Sequence, residues 1–187
     1  MGLEMLKDVP SATWIGLAGV IFGSLLTTFG VSLTNRANLK RLEQQLAHEE
    51  KLVSRRERKE RLEELYILIC HWSNAFFGNY LSLSLVMKGQ IDYNKYLDEI
   101  RESPAKQVDF NRISMIVDIY GGELQEAYAS ILKIRDEIND IEFAHKKAYQ
   151  SGQPGNLFLE PAGKAQLKLG KACDDLKILI SVAARET

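Results

Sequence analysis

Trp14-Ile-Gly-Leu-Ala-Gly-Val-Ile-Phe-Gly-Ser-Leu-Leu-Thr-Thr-Phe-Gly-Val-Ser-Leu33 runs for twenty residues without a charged side chain. At about 1.5 Å of rise per residue, such a helix covers the ~30 Å hydrocarbon core of a bilayer. Its four glycines would each cost a water-soluble helix roughly 1 kcal/mol relative to alanine. In lipid the same glycines let a neighbouring helix approach closely. Gly16, Gly19, Gly23, Thr27 and Gly30 follow one another by three or four residues, so they share one helix face. That face predicts transmembrane helix packing, and hence a homo-oligomer.

The flanks agree with a retained membrane helix. Trp14 suits the membrane interface, and Asp8 and Pro10 read as a helix start. A cleavable signal peptide would want a basic leader, a shorter apolar core and a small-residue cleavage site, none of which is present. Position 6 is Leu, so the myristoylation pattern fails as well. Lys7 stands alone before the span, whereas Arg36, Lys40, Arg41 and Lys51 follow it. That asymmetry predicts an outside N-terminus and a cytoplasmic segment after Leu33.

Working outward, the chain divides into a short tail (1–13), the transmembrane helix (14–33), a charged helical stalk (34–64), an uncharged stretch (65–87) and a C-terminal helical bundle (88–187). The stalk holds nine Lys/Arg against seven Glu and neither Pro nor Gly. Leu39, Leu42, Leu46 and Val53 begin a heptad that Glu49, Arg56 and Glu60 interrupt, so any coiled coil there is short. The run Ser54-Arg-Arg-Glu-Arg-Lys-Glu-Arg-Leu-Glu-Glu64 interleaves its charges and predicts a solvated helix laced with i,i+4 pairs rather than a nucleic-acid site. Leu65–Met87 carries no Asp, Glu, Lys or Arg. It reads either as a helix buried in a bundle or as a second span, diluted by His71, Asn74, Asn79 and serines.

Three helices follow. Residues 91–102 stop at Ser103-Pro104, and 107–120 stop at Gly121-Gly122. In 123–150, Leu124, Ile131, Ile138 and His145 recur every seven residues, with Ala127, Ile134, Ile141 and Ala148 between them. A loop at 151–163 leads into a helix over about 164–185. Its expected core is Leu169, Ala172, Cys173, Leu176, Leu179, Ile180 and Ala183. No stretch alternates as a strand. The fold class is all-α: a transmembrane helix, a helical stalk and an antiparallel helical bundle.

The search for chemistry finds little. HExxH, P-loop, GxGxxG and GxSxG are absent. The three histidines lack partners at zinc-ligand spacing, and His145 on the seam reads as a core histidine. Cys70 and Cys173 have no CxxC spacing and read as small buried apolar groups. Arg41-x6-His48 fits the loose Arg/His pattern of HEPN-type ribonucleases, but it sits in the stalk and Leu42 follows the Arg where those enzymes carry a polar residue. The expectation is therefore no enzyme, no catalytic residue, no metal and no cofactor, and no direct nucleic-acid binding, consistent with a net charge of −1.

The layout of span, charged stalk, second apolar stretch and compact α domain resembles the small transmembrane effectors of bacterial anti-phage systems, the retron-associated ones above all. That resemblance implies a toxic effector of the bacterial inner membrane that acts by abortive infection. A reverse transcriptase with its RNA/DNA product would act as sensor, and Trp72, Asn74 and Asn79 would flank a polar path once several copies meet. The alternative is a membrane-tethered adaptor whose bundle recruits cytoplasmic partners.

Overall fold

The computed structural model describes residues 11–102 and 108–186 and is all-α, with no strand among them. Five helices follow in order: α1 (Ser11–Met87), α2 (Tyr93–Glu102), α3 (Phe110–Tyr120), α4 (Gln125–Gln150) and α5 (Leu159–Arg185). Short 3-10 turns at Gly122–Leu124 and Gly155–Phe158 lead into α4 and α5. The chain falls into two compact units, Met1–Val53 and Ser54–Thr187.

In the first unit, Thr13–Val53 is helix with every side chain exposed. Neither Pro nor Gly follows Gly30 until Gly78, and Leu, Glu, Lys, Arg, Gln and Ala dominate, so nothing breaks α1 through the stalk.

In the second unit the core has two parts. One gathers Leu62, Leu65, Ile69 and Trp72 of α1, Ile113, Ile116 and Val117 of α3, Leu124 and the Ile131/Ile138 seam of α4, and Leu169, Cys173, Leu176 and Ile180 of α5. The other joins Leu83, Val86 and Met87 to Tyr96 of α2 and Ala162 of α5. The 65–87 stretch therefore turns one face into the bundle, while its other face stays open.

Helix ends follow local chemistry. Gly89 adopts φ +68° beyond α1, and the Gly89 and Gln90 amides bond back to the Val86 and Leu85 carbonyls. Asp109 Oδ1 accepts from the Arg112 amide at 3.0 Å and caps α3.

Three expectations need correction. First, α5 starts at Leu159, so part of the expected 151–163 loop is helix; Pro161 lies in the first turn, where its missing N–H costs nothing. Second, Leu179 is 42% exposed while Ala162, Ala165 and Gln166 are buried, because the buried stripe of α5 lies to one side of Leu179. Third, the charged run is not merely solvated. Arg56–Glu60 and Lys59–Glu63 are the expected i,i+4 pairs, but Leu62 is fully buried. Arg58 pairs with Glu123 and donates to the Tyr120 carbonyl at 3.1 Å, and the Tyr120 hydroxyl donates to Glu57 at 2.9 Å. The bundle thus begins inside the segment read as stalk.

Candidate functional site

The apolar helix is the first candidate. An 18-residue window of α1 near the N-terminus reaches a mean hydropathy of 1.8 with none of it buried, so this helix is long and apolar enough to cross a membrane. Ser24, Thr27, Thr28 and Thr34 are satisfied within the helix. Thr27 Oγ1 donates to the Gly23 carbonyl at 2.8 Å, Thr28 to Ser24 at 2.8 Å, Thr34 to Gly30 at 2.9 Å, and Ser24 to Ile21 at 2.9 Å. None of these four hydroxyl hydrogens needs water, which suits a lipid environment. A Cβ built at Gly16, Gly19, Gly23 or Gly30 meets nothing within 4 Å. The chain's own packing therefore does not require glycine at these positions.

The three residues expected along a polar path do not share a face. Trp72 is buried, edge-on to Phe76, Phe110 and Tyr128 with ring centroids 5.7, 5.6 and 6.3 Å away. It is a core residue. Asn74 is exposed and Asn79 half-buried. Five residues separate the two asparagines, about 140° around a helix, so one chain cannot present both to the same lumen.

Arg41 and His48 lie on the exposed helix of the first unit, flanking an open groove completed only by Gln44 and Gln45. Nothing there positions or desolvates a phosphodiester. Among the described residues no three His, Cys, Asp or Glu gather as a metal site. Both cysteines are free; Cys173 is buried, and burial raises its thiol to about 11, while Cys70 is only half-buried. Cys173 is thus a packing group rather than a nucleophile at neutral pH.

Two features were missed from sequence. The first is an open groove of about 740 Å³ between α1 and the end of α5, lined by Lys59, Leu62, Glu63, Tyr66, Ile67, Ser181, Ala184 and Arg185. Ile178 and Val182, exposed on α5, continue it beside Tyr66. Reading the outward faces of the two helices together would have found it.

The second is a buried polar cluster. His145 is fully buried, with neither ring nitrogen partnered among the described residues. Tyr93 stacks on it at 6.0 Å, and Phe158 meets it edge-on at 5.4 Å. Burial holds its imidazole below the ordinary value and pushes the Glu142 carboxyl up. Burial, and then the Glu142 charge, also raise the Tyr93 and Tyr96 phenols. The heptad placed His145 at the seam, but it could not show that the ring finds no hydrogen-bond partner among the described residues.

Compared with known proteins, the chain matches no family model, no curated sequence and no solved structure.

Proposed function

We propose that this chain is a membrane-anchored toxic effector of the bacterial inner membrane, of the anti-phage, abortive-infection kind. In this reading the N-terminus lies outside, the bundle is cytoplasmic, and copies assemble through their spans and perturb the barrier. A retron-type reverse transcriptase with its RNA/DNA product would hold it silent until infection. One observation carries the assembly step. Four glycines and Thr27 occupy one side of a chargeless helix whose own fold leaves the space beside them empty. Small residues are of little use to a solitary anchor and of considerable use to helices that must touch.

The test replaces Gly19 and Gly23 with Leu and follows membrane potential and oligomer size after expression. Depolarisation should fall and the oligomer should dissociate. Undiminished toxicity with an unchanged oligomer overturns the proposal.

The groove of Tyr66, Ile67, Ser181 and Arg185 favours a second reading, a tethered adaptor. An adaptor would keep its function when residues 14–33 are exchanged for an unrelated span; the effector would lose it.

A further inference from the structure

His145 is fully buried in α4, and neither ring nitrogen has a partner among the described residues. Three other elements wall it in. Tyr93 of α2 stacks on the ring, with centroids 6.0 Å apart and planes 25° from parallel. The 3-10 turn before α5 brings Phe158 edge-on at 5.4 Å. The same turn runs Gly155 so close that a Cβ there would sit 2.9 Å from His145 Nε2 and 2.9 Å from the Met87 carbonyl oxygen at the end of α1. Such a site fits the neutral imidazole, because a buried cation without an acceptor bears the full cost of desolvation.

We propose that α2 is an acid-released latch on the bundle: a proton on His145 is accommodated by α2 lifting away and letting water reach the ring. The neighbouring groups offer the imidazolium no better answer. Glu142 lies one helical turn before His145, and its charge reaches Tyr93 and Tyr96. Burial disfavours that charge as well, so Glu142 is a poor counter-ion, and its own titration favours the closed bundle in acid. The Tyr149 hydroxyl accepts from the Tyr93 amide at 3.4 Å, and Tyr80 of α1 sits in the same apolar cluster; both phenols stay neutral in acid. The charged side chains of the flanking elements, Lys88, Asp92, Lys146, Lys147 and the Glu160–Lys164 pair, are exposed.

Among the walls, α2 is the one free to leave. Leu65 and Ile69 tie α1 into the larger core, Ile131 and Ile138 tie α4, and Leu169 and Leu176 tie α5. No described residue of α2 enters that core. The helix is held through Tyr96, with Tyr93 and Ile100 beside it, in the smaller cluster. Gly155, wedged between Met87 and His145, leaves its turn no room to shift inward. Lifting α2 therefore opens the smaller cluster while the larger core stays closed. Its ten residues make a marginal helix in water alone, so its amides lose protection on leaving. This inference concerns the bundle and stands apart from toxicity and from assembly of the spans.

The experiment measures hydrogen–deuterium exchange of the full-length chain in detergent at pH 7.5 and pH 5.5, each corrected for the intrinsic exchange rate. An imidazole that regains its ordinary value of 6.5 on opening makes that opening about ten times more frequent at the lower pH. Protection of residues 93–102 should fall by about tenfold, and that of 165–180 should hold. Glu142→Gln should keep this response and His145→Phe should abolish it. Equal protection of α2 at both pH values, a loss shared by 165–180, or the same tenfold loss in His145→Phe would each overturn the proposal. A second measurement needs no change at the site. With the exposed His48 and His71 both replaced by Gln, NMR follows the remaining imidazole and the ring signals of Tyr93 and Tyr96 through the acid titration. Protonation should coincide with loss of the docked tyrosine signals; a protonated imidazole beside docked tyrosines overturns the latch.

Discussion

Arg112 of α3 grips Glu64 of α1 through two hydrogen bonds, Nε to Oε1 at 2.6 Å and Nη2 to Oε2 at 2.7 Å, while Arg61 Nη1 donates to the same Oε2 at 2.8 Å. The fork of the guanidinium matches the carboxylate, and this geometry ties the charged part of α1 to a helix 48 residues further along the chain. The Arg112 hydrogen bonds outweigh desolvation and hold the Glu64 carboxyl at about 2, against 4.5 for a free one.

A folded-state value below the unfolded one stabilises the protein wherever the unfolded carboxyl is ionised. This contribution is complete above about pH 4.5 and is lost as the pH falls toward 2. Glu64→Gln removes the titration. Urea unfolding in detergent should show a smaller gap between pH 7 and pH 3 for the variant than for the parent chain. An unchanged gap would mean the ion pair contributes nothing.

Trp72 anchors the core through three edge-on aromatic contacts. Trp72→Ala leaves a cavity ringed by Phe76, Phe110 and Tyr128 and should cost about 3–5 kcal/mol. Its indole nitrogen has no partner among the described residues, so Trp72→Phe should cost markedly less, because it removes that unsatisfied donor along with the lost area. Denaturant titration followed by far-UV circular dichroism ranks the two; equal losses would show that the indole is not held where the structure puts it.

His145 and Glu142 oppose each other in acid. The imidazole is depressed by burial, so its share of stability is complete above about pH 6.5 and is lost as the pH falls below that. The carboxyl is raised by burial, so its share is complete below about pH 4.5 and is lost as the pH rises through its folded value. The neighbouring Tyr93 and Tyr96 phenols, both raised, stay neutral throughout this range. Glu142→Gln should therefore unmask a steeper loss of stability between pH 7 and pH 5. His145→Phe should leave Glu142 alone and reverse the slope. Thermal midpoints across that range decide it.

How far these relationships could be read from sequence depends on which forces are local. The apolar span, the absence of strands and the seam of α4 are periodic signals carried within one segment, and each appears where periodicity put it. Leu179 departed from expectation because a neighbouring helix selects which part of a broad apolar stripe is buried, and α5 starts early because Pro161 falls in its first turn, where a missing N–H is tolerated. Glu64–Arg112 and Arg58–Glu123 were hidden because the partners lie 48 and 65 residues apart in the chain. A charge run looks the same whether water or another helix answers it. Trp72 was expected beside polar neighbours in sequence, yet two residues of helix turn place it about 200° from Asn74.

The second unit holds its own closed core, so it should fold without the first. Leu62, Leu65 and Ile69 are fully buried against α3, α4 and α5, and among the described residues no core residue precedes Ser54. A fragment of residues 54–187 should remain in the supernatant without detergent, show a helical spectrum and unfold in one cooperative transition. The full chain should require detergent, since the exposed apolar side chains of 14–33 have no cover of their own. Ultracentrifugation of both after lysis is the check. A full-length product that stays monodisperse in plain buffer would mean that 14–33 is covered by protein rather than lipid, and the membrane reading of this helix would fall with it.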